Sequence, residues 1–210
     1  MRRITFIFIF VCCALALVAQ DVIKVNFKGS KPTISDLAWA YLSDYVYDED
    51  DDDCLDEVRS SVKNAWALYR KGAPLNEGEK LNVDNKNGYA IYEFRSEYES
   101  VEDLCQVEMC YWNESDGKHK LFAYNVKCFT NGNYSPGQFD GLLFYRYNNA
   151  TKKMTYYEMP GFTASLRTED GAYITYSLPR TGKDIIVTLW YDNGTKKQKI
   201  LKWNGRRFNR

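Results

Sequence analysis

The spacing of apolar positions changes once along the chain, at Pro74. Before it, Ile34, Leu37, Ala38, Tyr41, Leu42 and Tyr45 recur at i, i+3, i+4, i+7, i+8 and i+11, which is one face of a helix. Thr33 starts that helix, because its hydroxyl can accept a backbone N–H while Asp36, three residues on, suits the positive helix end. Leu55, Val58, Val62, Ala65, Trp66 and Tyr69 repeat the helical period. Asp56 and Glu57 lie at the front of this second helix, Arg70 and Lys71 at the back, and Gly72 and Pro74 stop it. After Pro74 the period becomes two. The runs YAIYEF, LFAYNV, LLFYRY, MTYYEM, AYITYSL, IIVTLWY and KILKW are separated by turn sequences at 84–88, 113–117, 131–137, 148–153, 169–171, 192–197 and 203–205. The pattern predicts an α+β domain. Two N-terminal amphipathic helices (33–72) pack on a twisted antiparallel β-meander (79–208), closed into a sandwich or a partial barrel. DVIKVNFKGS, ahead of the helices, reads as a short strand.

Residues 1–20, MRRITFIFIFVCCALALVAQ, set two arginines before an uncharged apolar run, the layout of a secretory signal peptide. The run is shorter than the roughly 20 residues of a membrane span. The expectation is an exported protein, periplasmic, cell-surface or secreted, whose mature part (21–210) is a single domain without a transmembrane segment. A lipid anchor on Cys12 or Cys13 is not expected, since bulky Val11 precedes the pair and apolar ALALV follows it. A formal net charge of +0 gives no basic surplus for nucleic acid. The mature length suffices to bury roughly 70% of the unfolded surface, so folding requires no cofactor.

Candidate chemistry concentrates in CQVEMCYWNESDGKHKLFAYNVKC, residues 105–128, which holds three of the six cysteines and the single histidine. Asp116-Gly117 favours a two-residue hairpin turn. Paired positions then sum to 233, which sets Trp112 against Leu121, Cys110 against Ala123 and Cys105 against Cys128, close enough for a disulfide. Cys54 and Cys110 remain, either bridged from helix to sheet or buried as thiols. His119, flanked by Lys118 and Lys120, is expected at the solvated turn, too far along the strand from Cys105 and Cys128 to share a metal with them. Any histidine-dependent catalysis has to use it. Glu93, Glu97, Glu99, Glu102, Asp103, Glu108 and Glu114 leave open a polysaccharide-acting hydrolase built on a carboxylate pair, although no spacing singles out a pair. No catalytic residue is assigned and no metal is expected. DEDDDD (48–53) reads as a solvated connector. Calcium held by Asp48, Asp50 and Asp52 is the alternative, and the EF-hand pattern fails because Asp53 replaces the glycine and Arg59 the final glutamate.

Aromatic residues make up 16% of the chain, with 17 tyrosines. Trp112, Tyr145, Tyr147, Tyr191 and Trp203 lie near strand ends, where aromatic faces could meet a sugar ring or a protein partner. The leading expectation is therefore a non-catalytic binding protein that recognises a glycan or an extracellular or envelope protein through exposed aromatics. The alternatives are the hydrolase and an inhibitor or structural partner of another envelope protein. The basic C-terminal segment, Lys196 to Arg210, is read as the solvated face of a last hairpin with Ile200, Leu201 and Trp203 turned inward to pack.

The stretches KVNFKGSKPTISDLAWAYLS, VEMCYWNESDGKHKLFAYNV and YSLPRTGKDIIV resemble uncharacterised exported proteins of anaerobic gut bacteria. The resemblance implies a bacterial periplasm or outer surface and carries no activity and no site residues.

Overall fold

The computed structural model describes residues 22–44, 54–136, 141–162 and 167–209, the side chains of 54–57 excepted. Residues 1–20, Asp48, Asp50 and Asp52, and the side chain of Cys54 fall outside that description. The described residues form two helices and two antiparallel sheets. The chain runs β1 (Val22–Lys24), α1 (Ile34–Asp44), α2 (Cys54–Lys71), β2 (Glu79–Asp84), β3 (Tyr89–Tyr98), β4 (Val101–Asn113), β5 (His119–Thr130) and β6 (Asn133–Tyr134). It continues through β7 (Gly141–Asn148), β8 (Lys153–Tyr156), β9 (Tyr173–Ser177), β10 (Ile185–Trp190), β11 (Lys196–Trp203) and β12 (Phe208–Asn209).

Local chemistry sets the helix ends. Asp36 accepts the Thr33 N–H at 2.8 Å while the Thr33 hydroxyl accepts the Asp36 N–H at 3.3 Å, a reciprocal cap. Gly72, at φ 67°, ends α2: its N–H reaches the Tyr69 carbonyl and the Ala73 N–H the Leu68 carbonyl, each at 3.0 Å. That pair of bonds satisfies carbonyls a helix end leaves open.

The larger sheet has the order β1-β8-β7-β5-β4-β3-β2, with β6 added on β5, and the smaller has β12-β11-β10-β9. It departs from a pure meander where β1 crosses to pair with β8, setting Ile23 opposite Met154. Among the described residues no barrel closes: β1, β2, β9 and β12 remain open edges. The turn between β3 and β4 carries no glycine or asparagine, so its sequence gives no sign of it; Glu99 and Ser100 adopt φ 47° and 69° there. Asn131-Gly132, at φ 50° and 74°, makes the tight turn from β5 to β6 for which that dipeptide is suited.

The central strands are covered on both faces, so β5 is buried almost continuously instead of alternately. On one face Val107, Met109, Phe122, Tyr124 and Val126 share a core with Ile34, Leu37, Leu42, Val62 and Trp66 of the helices. On the other, Cys110, Trp112, Leu121 and Ala123 share a core with Ile174, Tyr176, Ile185, Val187 and Leu189 of the smaller sheet. Cys110 is a buried free thiol on this second face. Strand parity thus turns it away from the face that α2 covers; Cys54, its expected partner for a bridge, has its side chain outside the described residues. Ile200, expected to pack, instead points outward at 56% exposure, because it shares parity with the exposed Gln198 and Lys202.

Candidate functional site

The β4–β5 hairpin keeps the 233 register along its length, from Asp103 opposite Thr130 to Asn113 opposite Lys120. Cys105 and Cys128 face each other at a Cα separation of 4.2 Å and form a disulfide. The turn is longer than two residues. Glu114 N–H bonds the His119 carbonyl and Gly117 N–H the Glu114 carbonyl, each at 3.1 Å, and of Asp116 and Gly117 only the glycine takes a positive φ, 67°. Pairing survives because the longer loop is centred on the same dipeptide. Ser115 N–H, bonded to the Gly205 carbonyl at 2.8 Å, braces the tip on the β11–β12 turn.

His119 is not the solvated turn residue that its lysine neighbours suggest. Arg146 of β7 grips Glu114 with Nε at 2.7 Å and Nη2 at 2.5 Å, and approaches Asp116 at 3.5 Å. The half-buried His119 ring places Nδ1 2.6 Å from Asp116 Oδ2 and Nε2 3.1 Å from Asn148 Nδ2. These partners suit a ring protonated on Nδ1 that accepts at Nε2. The hydrogen bond from His119, above all, holds the Asp116 carboxyl down at about 2. Glu114, Asp116 and His119 bring three potential ligand atoms within 4.8 Å of one another. The Arg146 guanidinium already rests against both carboxylates, so a metal would have to displace it.

Behind this knot lies a cleft of about 480 Å³, walled by the 27–32 loop, the hairpin tip and the β7–β8 turn. Three lysines from separate elements line it: Lys31, Lys120 and Lys152. Lys120 is only 4% exposed. Its ammonium bonds Asn113 Oδ1 and stands 4.3 Å over the Tyr111 ring, and it makes no ion pair with a carboxylate among the described residues. Lys152 lies 5.1 Å over Phe27. Tyr111 is held by Gly88, whose carbonyl takes the Tyr111 N–H at 3.1 Å and where a Cβ would meet the ring at 2.8 Å. Tyr147, fully buried, completes the wall, and its hydroxyl has no hydrogen-bond partner among the described residues.

Burial, and secondarily the Lys31 ammonium, push the Lys120 amine below the ordinary lysine range. Between that depressed value and the ordinary one near 10.4 the unfolded chain binds more protons than the folded, so this group makes stability rise with pH. Lys120→Met removes the buried charge and keeps the aliphatic stem. It should raise stability at pH 7 by about 1 kcal/mol and flatten the rise toward pH 10, as read by urea unfolding. A loss of stability in the variant would show that Asn113 and Tyr111 compensate the charge fully.

The aromatics singled out from the sequence are not exposed as expected. Trp112, Tyr147 and Trp203 are buried at 4%, 0% and 9% exposure. Trp112 faces the smaller sheet, gives its indole N–H to the Lys183 carbonyl at 2.8 Å, and packs 6.0 Å from Trp203 and 5.1 Å from Phe208. Tyr145 is half-buried 5.1 Å from Tyr41, and Tyr191, half-buried too, lies under Lys197 at 5.2 Å. Of the five, only Tyr147 reaches the cleft. Lys31, Lys120, Lys152, Phe27 and Tyr111 carry no motif. One sign was available: Lys120 shares strand parity with Phe122, Tyr124 and Val126, which places a charge on the inward face.

The chain matches no protein-family profile, no curated protein and no solved structure.

Proposed function

We propose that the chain is an exported, non-catalytic binding protein and that the cleft at the hairpin tip recognises a glycan. The observation that carries this reading is Lys120: a buried ammonium without a carboxylate partner, beside the aromatic face of Tyr111 and opening onto a cleft. Such a group costs stability, and a ligand that covers it supplies the missing interactions. Aromatic faces with polar neighbours suit sugar rings, which present apolar C–H faces and hydroxyl edges. Three of the seven carboxylates that left a hydrolase open are committed to ion pairs: Glu102 to Arg95 at 2.6 Å, Glu108 to Lys127 at 3.0 Å and Glu114 to Arg146. Export rests on residues 1–20. Sequencing the amino terminus of the native protein checks it, with cleavage near Gln20 as the expected result and an intact leader as the opposing one.

Thermal unfolding of residues 21–210 against a panel of polysaccharides tests the recognition. A ligand at a hundred times its Kd adds about 2.7 kcal/mol, a rise of roughly 5–11 °C for a domain of this size. No shift with any glycan, together with capture of one defined envelope protein by the immobilised chain, would replace the glycan with a protein partner.

A further inference from the structure

We infer that the cleft is selective for acidic saccharides, and that Lys120, with Lys31 and Lys152, binds a carboxylate or sulfate carried on the sugar. The inference rests on the glycan reading above and names its ligand class. Two independent features of the cleft point to a ligand. One is that three lysines, contributed by the 27–32 loop, β5 and the β7–β8 turn, line a single cleft. Glu114, the carboxylate in its wall, has both oxygens committed to Arg146, and so leaves the lysines unneutralised. The other is the burial of Lys120 itself, 4% exposed in that wall, with Asn113 Oδ1 and the Tyr111 ring against its ammonium and no carboxylate partner among the described residues.

The charge balance selects the ligand. A neutral sugar would leave the Lys120 ammonium desolvated and unpaired, whereas an anion bonded to it converts that cost into a charge-assisted hydrogen bond, shorter and stronger than a neutral one. Lys31 and Lys152, both exposed at the rim, add attraction at longer range that salt screens. Tyr111 and Phe27 lie directly beneath two of the ammonium groups. A sugar ring whose acidic group meets the lysines is therefore brought alongside aromatic surface.

Calorimetric titration of the protein tests this with three probes: tri-galacturonate, the same trimer as its methyl ester, and sodium sulfate. Lys120→Met and Lys31→Gln are run beside the native sequence. The acidic trimer should bind about tenfold to a hundredfold tighter than the ester, the range expected from one charge-assisted hydrogen bond. Lys120→Met should lose about as much for the acidic trimer and little for the ester, with its thermal midpoint no lower than that of the parent. Lys31→Gln, at an exposed site where misfolding is not an issue, should lose less and lose it chiefly at low salt. Equal binding of acid and ester, unaffected by either variant, overturns the anion site and leaves glycan recognition standing. Binding of sulfate without the trimer keeps the anion site and overturns its saccharide ligand. Failure of the acidic trimer and sulfate alike overturns the inference.

Discussion

Glu108→Ala should lower the stability of the fold by about 3–5 kcal/mol, the effect of leaving one partner of a buried ion pair alone. Glu108 and Lys127 lie between the sheets at 5% and 6% exposure. One Glu108 oxygen accepts the Lys127 ammonium at 3.0 Å, Asn125 Nδ2 at 3.1 Å and the Leu178 backbone N–H at 3.2 Å; the other accepts the Tyr89 hydroxyl at 3.1 Å. Lys127 also reaches Ser177 Oγ at 3.0 Å, and Asn125 the Tyr176 carbonyl at 2.9 Å. The carboxylate therefore joins β3, β4 and β5 of one sheet to the end of β9 in the other. Burial first, then this carboxylate, push the Tyr89 phenol far above its ordinary range. Removing Glu108 leaves the buried Lys127 ammonium without its counter-charge and takes an acceptor from three further donors. Lys127→Met leaves the carboxylate with its Tyr89, Asn125 and Leu178 donors, so it should cost clearly less. Urea unfolding of both variants, with the double variant to close the cycle, measures the difference. If Glu108→Ala cost no more than Lys127→Met, the carboxylate would not be the centre of the network.

Opening the Cys105–Cys128 bridge should cost about 3 kcal/mol, the loop-closure entropy of a ring of this size. For a domain of this length that lowers the thermal midpoint by roughly 6–12 °C. The hairpin should stay in register in Cys105→Ser/Cys128→Ser, since every pair from Asp103–Thr130 to Asn113–Lys120 is set independently of the bridge. The expected signature is a lower denaturation midpoint with a slightly steeper denaturant dependence, because the unfolded chain loses its cross-link and exposes more surface. A midpoint unchanged by dithiothreitol would mean that the two thiols are not joined in the native protein.

These two effects differ in how far they could be read ahead. The cysteine pairing follows from one dipeptide, Asp116-Gly117, and from counting outward; even the misjudged loop length leaves it intact. The partners of Glu108 do not follow from any count. Tyr89, Asn125, Lys127 and Leu178 come from two other strands and the segment after a third, and in the sequence Glu108 is one of seven acidic residues with nothing to distinguish it.

The same division runs through the candidate site. Strand parity puts Lys120 on the inward face, but Lys152 joins it because β7 pairs with β5 and brings the β7–β8 turn beside the hairpin tip, and Lys31 because β1 crosses to the far edge and pairs with β8, carrying the 27–32 loop there. The aromatics went the other way. Strand ends near turns are accessible in a sheet with one open face, yet here the core between the two sheets takes Trp112 and Trp203 and the helix-side core takes Tyr147.

By itself, then, the sequence determined what depends on neighbours within a few residues or across one turn: the Thr33–Asp36 cap, the Gly72 stop, the period change at Pro74 and the register of the 105–128 hairpin. Only the tertiary structure decided which sheet faces are covered, which charges are buried and which distant loops meet. Caps and registers are fixed by hydrogen bonds and dihedral preferences that act locally. Burial is fixed by the packing of whole layers, which no single segment encodes.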